Sequence, residues 1–427
     1  MADPAVSNRA SFRGRTFSAL SNPSYRRFYV GQGISLIGSW LQAAAVNWIV
    51  FTATNSELWL GIVAAASVLP GLLVGIFAGA LADRVEPKHM ILLMEVAQMM
   101  LAFTLAILVG LGVAEVSHLA VILALTRVCV AFEMPSRQVF LYQLVGRAEL
   151  TNAIALNSGL FNASRVLGPA LAGICYASLG ATACFSFNGL SFMAAITAVL
   201  LIPRPKVEPT LHSEGHRGVL GGVSYVWHDR RVGGLFLLMA LFGIVGMGYD
   251  AMIPAYARRV IDTGVGGYSV LLSSSGVGAT FGALAVASLG GLGSKARLVL
   301  SGLLLFAVSL AGAAGLPPLI GASWPTTARL VLASACLFGV GFGAVVFYSA
   351  TQTLIQVSVP DHLRGRVMGI WMIAFSGSVP LGSLWTGRLA STWGLSATIG
   401  LSSILCMLIA LTAVASRHFY IKPKRSV

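Results

Sequence analysis

Two opposite charges stand in a stretch that is otherwise apolar enough for lipid. Arg127 and Glu133 fall inside the run 118–139. Arg127 is about nine residues from one end, roughly 14 Å deep at 1.5 Å per residue, and Glu133 lies about 9 Å further along. A charge at such depth is costly unless paired or wet, which makes it functional by default. The chemistry it offers is proton carriage. Burial favours the neutral acid, a nearby guanidinium favours the carboxylate, and a group that alternates between the two can move a proton. On an ideal helix the two side chains point about 120° apart, an angle that Pro135 can alter by kinking the helix. Arg127 and Glu133 are the candidate coupling pair, and Arg137 is expected to snorkel to the inner interface. A second acid, Asp250, lies about 27 Å along its own run, near the outer mouth. It reads either as a second proton-coupling residue or as a gate or interface charge. Glu95, two turns into another run, is expected to pair with a loop base.

Polar side chains gather beside these charges. Ser158, Asn162 and Arg165 fall within about 60° on one helix face, and Gln32, Ser35, Ser39 and Gln42 within about 80° on another. Such stripes avoid lipid, so they face protein or water. Small polar residues also pack helices together, but glutamines are larger than packing requires. Arg127, Arg165, Asn162, Ser158, Gln32, Ser39 and Gln42 are therefore the candidate substrate-binding residues. The arginines suit anionic or phenolate-rich groups, and serve equally as structural partners of acids and carbonyls.

The elements that hold these residues follow from hydropathy. The chain has 427 residues, 56% hydrophobic and 10% charged, with mean hydropathy +0.83. Soluble domains carry about a quarter charged residues, so this is a polytopic membrane protein with the lipid bilayer as its solvent. Apolar runs of roughly 20 residues fall at 28–53, 60–81, 90–112, 118–139, 151–178 and 182–202. After a polar stretch they resume at 232–257, 268–290, 297–315, 327–350, 366–390 and 395–416. This predicts a basic N-tail 1–27, a six-helix bundle 28–202, a flexible connector 203–231, a second six-helix bundle 232–416 and a basic C-tail 417–427. Of the 28 Lys and Arg, only Arg258, Arg259, Arg329 and Arg388 fall on one side, and Arg127 and Arg165 fall inside spans. The other 22 share the side of both termini. By the positive-inside rule both termini are cytoplasmic, in the plasma (inner) membrane. The net charge of +14 is spread over short loops, so no nucleic-acid partner is expected. The five cysteines lie in apolar segments without metal spacing and read as small buried residues.

The two halves repeat. Val145, Gly168 and Gly173 recur as Val359, Gly382 and Gly387, each 214 positions later. Each half has an even number of spans, so both sit the same way up. The fold class is all-α membrane protein: twelve transmembrane helices in two bundles related by a pseudo-twofold axis along the membrane normal. The expected assembly is a monomer.

Two short motifs carry a resemblance. The turn Gly79-Ala-Leu-Ala-Asp-Arg-Val-Glu-Pro-Lys88 resembles the loop signature of the major facilitator superfamily at Gly79, Leu81, Asp83, Arg84 and Lys88, and departs from it at Glu86 and Pro87. The resemblance implies a latch between the halves in the outward-facing state. The matching turn of the second half has Ser294 in place of the acid. Gly168-Pro169 with Ala155, Ser164, Ala172 and Gly173 is similar to the antiporter signature of that superfamily, which marks exporters. It makes Gly79, Asp83, Arg84, Lys88, Ser164, Gly168, Pro169 and Gly173 the candidate gating residues. Across 25–203 and 358–395 the chain looks like the enterobactin-exporter-like branch, the transmembrane secretion effectors, which includes siderophore exporters and macrolide or multidrug efflux proteins.

These readings predict a secondary transporter that exports a small amphipathic molecule by alternating access in exchange for protons. There is no G-x4-G-K-[ST] nucleotide loop and no histidine cluster within the spans, so no cofactor or metal is expected, and no catalytic site. A lysophospholipid transporter of the same fold and a non-transporting membrane sensor are the alternatives.

Overall fold

The structure, a computed structural model, describes residues 17–82, 84–203, 219–289 and 295–415. Helix α1 runs Pro23–Thr54. The Asn22 side chain caps it by accepting from the Ser24 and Tyr25 amides, and Pro23 opens it at a position where a missing N–H costs nothing. Next come α2 (Glu57–Ala66) and α3 (Leu69–Ala82), which together make one span broken just before Pro70, then α4 (Pro87–Gly110).

The following segment, Val116–Leu200, is helical over 85 residues. As one rod it would be about 128 Å long, against a hydrocarbon layer of about 30 Å. It reverses twice instead, at Gly146 (φ 67°) and Gly180 (φ 80°), both with ψ near 180°, a conformation that is essentially glycine's alone. The result is α5 (116–145), α6 (147–179) and α7 (181–200). The sequence predicted a loop near 140–150. Hydropathy ends a span where polar residues begin, whereas the backbone stays helical beyond the hydrocarbon until glycine lets it turn.

A short helix α8 (Val219–His228) occupies part of the predicted connector; residues 204–218 lie outside the described residues. Asp229 then caps the next helix by accepting from the Arg231 and Val232 amides at 2.9 and 3.2 Å. The second half comprises α9 (Arg230–Val245), α10 (Tyr249–Tyr256) with the π-turn Ala257–Ile261, α11 (Val265–Leu289), α12 (Lys295–Ile320), α13 (Thr326–Ser358), α14 (Asp361–Trp393) and α15 (Leu395–Ala415). Helices α9 and α10 with the π-turn make one span, Arg230–Ile261. With Val116–Leu200 counted as three, the described residues hold twelve spans. Large apolar side chains such as Leu111, Ile174 and Leu319 are exposed, as suits a surface in contact with lipid.

The internal repeat is visible as geometry. Helix α6 (147–179) and helix α14 (361–393) coincide under the 214-residue shift, and Gly180 and Gly394 both turn with positive φ, 80° and 85°. Gly168 and Gly382 each seat the first helix of their own half. A Cβ on Gly168 would lie 3.0 Å from the Ile37 carbonyl of α1, and one on Gly382 would lie 2.5 Å from the Gly243 carbonyl of α9. Gly173 and Gly387 instead face across the halves. A Cβ on Gly173 would lie 2.6 Å from Ser269 of α11, and one on Gly387 would lie 2.7 Å from the Glu57 carbonyl of α2. The fifth span of each half thus meets the second span of the other, the pattern a twofold axis produces.

Candidate functional site

The cross-bundle contacts concentrate at the end of the molecule opposite the N-terminus. There Arg259, beyond α10, forms an ion pair with buried Glu57 at the start of α2. It also donates to the Asn55 carbonyl at 2.6 Å and to the Asn55 side chain at 3.2 Å. Its guanidinium sits 5.3 Å from the centre of the Phe51 ring, a cation–π arrangement. Trp48 of α1 stacks on Tyr268 of α11 with centroids 5.5 Å apart. Deeper in, Ser273 of α11 donates to the Val166 carbonyl of α6 at 3.1 Å.

From the middle of the molecule toward the N-terminal face, the first bundle is hollowed by a cavity of about 1060 Å³. All of its lining residues come from that bundle. Gln32, Ser35, Ser39 and Gln42 of α1 line it, as do Arg127 and Glu133 of α5 and Ser158 and Asn162 of α6. Apolar walls alternate with them, including Phe28, Trp40, Phe161 and Phe192. The cavity therefore has the amphipathic lining common to small-molecule sites.

At its depth lies a network of buried polar groups. Gln32 donates to Glu95 Oε1 at 2.7 Å, and Gln98 donates to Glu133 Oε2 at 2.7 Å. Arg137 binds both acids through one nitrogen: Nη2 pairs with Glu133 Oε1 and lies 3.4 Å from Glu95 Oε1. Glu95 is 0% and Glu133 3% exposed. Nearby, Asn188 of α7 donates to Gln42 at 2.8 Å.

Three expectations change here. Glu133 pairs with Arg137 and not with Arg127, because four residues turn a helix by about 40° off a full turn and six by about 120°. Arg137 turns into the bundle, where two carboxylates hold it, rather than snorkelling to the surface. Glu95 finds its base on a neighbouring helix and not in a loop. Arg127 is placed separately. Its Nε donates 2.7 Å to the Ser67 carbonyl, which sits in the α2–α3 break that Pro70 enforces. Gly71 makes room for the arginine stem, since a Cβ there would lie 2.6 Å from Arg127 Cγ. Among the described residues no carboxylate lies within 4 Å of Arg127.

The other predicted residues divide by location. Ser158 and Asn162 reach the cavity but donate to their own helix, to the Ile154 and Ser158 carbonyls at 3.0 and 2.8 Å. Arg165 is not among the lining residues. Its backbone carbonyl abuts the bundle interface, 3.1 Å from where a Cβ on Gly276 would sit. Asp250 lies in the first turn of α10, away from the cavity. Ser164 is fully buried, and Pro169 sits beside Gly168 inside α6. Of the predicted latch, Gly79 lies in α3 and Arg84 in an exposed turn. Lys88 donates to the Ile202 carbonyl of its own bundle at 2.5 Å. Asp83 lies outside the described residues. The basic tails expected over 1–27 and 417–427 lie largely outside them as well. All five cysteines are free thiols.

Sequence reasoning missed Arg137, Glu95, Gln98 and Asn188 as parts of the site. The first three had a signal: Glu133 and Arg137 are spaced i, i+4, and Glu95 and Gln98 are spaced i, i+3, so each couple shares one helix face.

Two pseudo-symmetric six-helix bundles, joined at one end, with a large amphipathic cavity in the first of them, have the build of a membrane transporter. Solved structures share the fold. The nucleoside transporter NupG superposes with a TM-score of 0.73 at 12% identity, over 94% of this chain and 100% of its own. A bacterial homologue of the human lysosomal transporter Spinster, inward-facing and unoccupied, gives 0.73 at 13% identity, over 95% and 99%. The profile of the transmembrane secretion effectors matches residues 14–424. The chain belongs to that family, within the major facilitator superfamily. Its relatives include the staphyloferrin A transporter of Staphylococcus aureus, 21% identical over 90% of this chain and 94% of the relative. The multidrug efflux pump Tap of Mycolicibacterium fortuitum is 25% identical over 90% and 91%. Macrolide efflux protein A of Streptococcus pyogenes is 22% identical over 90% and 93%. The protein is a multi-pass plasma-membrane transporter of small molecules and not an enzyme.

Proposed function

We propose that the protein exports a small amphipathic molecule from the cytoplasm by alternating access, in exchange for protons. The observation that carries this reading is the position of Glu133, buried against Arg137 and Gln98 yet lining the cavity. A proton and a cargo that enter the same cavity can exclude one another there, and mutual exclusion is what exchange requires. The apolar walls suit a cargo with a large hydrophobic body. Arg127, which among the described residues is bonded through Nε, offers the rest of its guanidinium to the oxygen acceptors of such a molecule. The names of the relatives, a siderophore transporter and efflux pumps for several drugs, support this cargo class. With both termini cytoplasmic by the charge bias, the cavity opens inward and the Glu57–Arg259 end is the closed outer gate. Ser164, Gly168, Pro169 and Gly173 then serve as the packing surface on which the bundles rock.

The experiment is transport in liposomes with the full chain and a panel of siderophores, a macrolide and cationic dyes, with and without a pH gradient. A pH gradient is expected to drive efflux of one or more of them, and E133Q to abolish that drive. Efflux by E133Q with unchanged pH dependence would remove the assignment of Glu133.

A further inference from the structure

The buried network contains two acids and one base. Glu95 Oε1 accepts from Gln32 and from Arg137 Nη2, while its Oε2 is buried with no partner among the described residues. Glu133 accepts from the same Arg137 nitrogen and from Gln98. The groups that face the two acids are Gln32 from α1, Gln98 from α4, and Arg137 and Cys129 from α5. From α7 the nearby polar group is Asn188, which is neutral and already bound to Gln42. No second cation lies within ion-pair distance among the described residues. Two carboxylates against one guanidinium leave one negative charge in excess, in a place where an uncompensated charge is expensive. One proton held between the two acids removes it.

We propose that Glu95 and Glu133 form a single proton site, a carboxyl pair that holds one exchangeable proton opposite Arg137. This rests on the proton-coupled reading above and names its second member. Glu133, at the cavity wall, is where water delivers the proton: an O–H bond forms on a carboxylate oxygen as one breaks in hydronium. Glu95 Oε2 is the vacant acceptor inside. The loaded cluster is one neutral acid, one carboxylate and one guanidinium, with no net charge. The unloaded cluster carries one negative charge, which favours a cargo that brings a positive or hydrogen-bond-donating group.

The charge count gives an outcome that independent sites do not give. When either acid becomes glutamine, the remaining carboxylate faces Arg137 one to one and has no need of a proton. Loss of either acid should therefore abolish the proton site, the non-additive behaviour of a coupled pair. The test is an infrared pH titration of the purified full chain in lipid nanodiscs, reading the C=O stretch of protonated carboxyl groups across the physiological pH range. Wild type should gain a band worth one proton, absent from both E95Q and E133Q and kept in E95D. A band that persists in E95Q overturns the pair and leaves Glu133 acting alone. A wild-type amplitude of two protons, or none, overturns the shared proton without need of any variant. The titration requires no transport. A pair that titrates as described in a protein whose efflux ignores pH would sink the coupling reading and leave the pair standing.

Discussion

Arg137 is the residue on which the site's stability turns. Among the described residues it is the one cation between Glu95 and Glu133, and its removal leaves both acids there without a counter-charge. Breaking a buried pair in this way costs about 3–5 kcal/mol. R137A should therefore lower the thermal unfolding midpoint well beyond what Arg84, an exposed turn residue, costs on the same substitution. Asn188 is a milder case. N188L would leave the Gln42 amide oxygen buried without its donor, for about 1–3 kcal/mol, readable in the same melt. The sequence showed part of this site. Arg127 and Glu133 stood out because charges inside apolar runs are rare, and the α1 stripe because its polar residues share a face. The i, i+4 spacing of Glu133 and Arg137 could be read; what could not be read was which helices bring their polar groups together. Gln32, Glu95 and Glu133 come from α1, α4 and α5, and their meeting depends on bundle packing, which no spacing along one helix encodes.

At the scale of elements, the glycines decide where helices turn and how closely they pack. Gly180 turns α6 into α7 with φ 80°. G180A would force a side chain into that conformation, at about 1–3 kcal/mol, and lower the folded yield. Gly168 has no room at all: a side chain there meets Trp40 and the α1 backbone. G168V should separate α6 from α1, seen as labelling of an introduced S164C, a position fully buried beside Gly168 on α6, by a maleimide that reacts far more slowly with S164C in the parent background. The 214-residue register was legible in the sequence because it rests on such glycines, which packing holds in place. The length of the turn at Gly146 was not legible, because polar residues end a hydropathic span whether or not the helix ends with them. Helix α8 was hidden for a different reason: its ten residues, VLGGVSYVWH, are apolar but too few to span a membrane, so in the sequence they merge with the polar residues on either side.

For the whole molecule, the contacts between bundles lie at one end and the cavity opens at the other. Arg259 binds Glu57 and Asn55 across the halves, so R259A should release that end. Ser269, buried against Gly173, reports on it. S269C should react several-fold faster with a membrane-impermeant maleimide in the R259A background than in the parent, and equal rates would show that the ion pair does not hold the gate. The proposed exchange makes one demand on the carboxyl cluster, that it give up its proton as cargo enters. The most direct measurement encloses a pH dye in liposomes that hold the full chain and imposes a gradient of a transported cargo with no initial pH difference. Protons should move opposite to the cargo in wild type and not at all in E133Q. Cargo flux with no proton movement, or with protons travelling in the same direction, would contradict exchange.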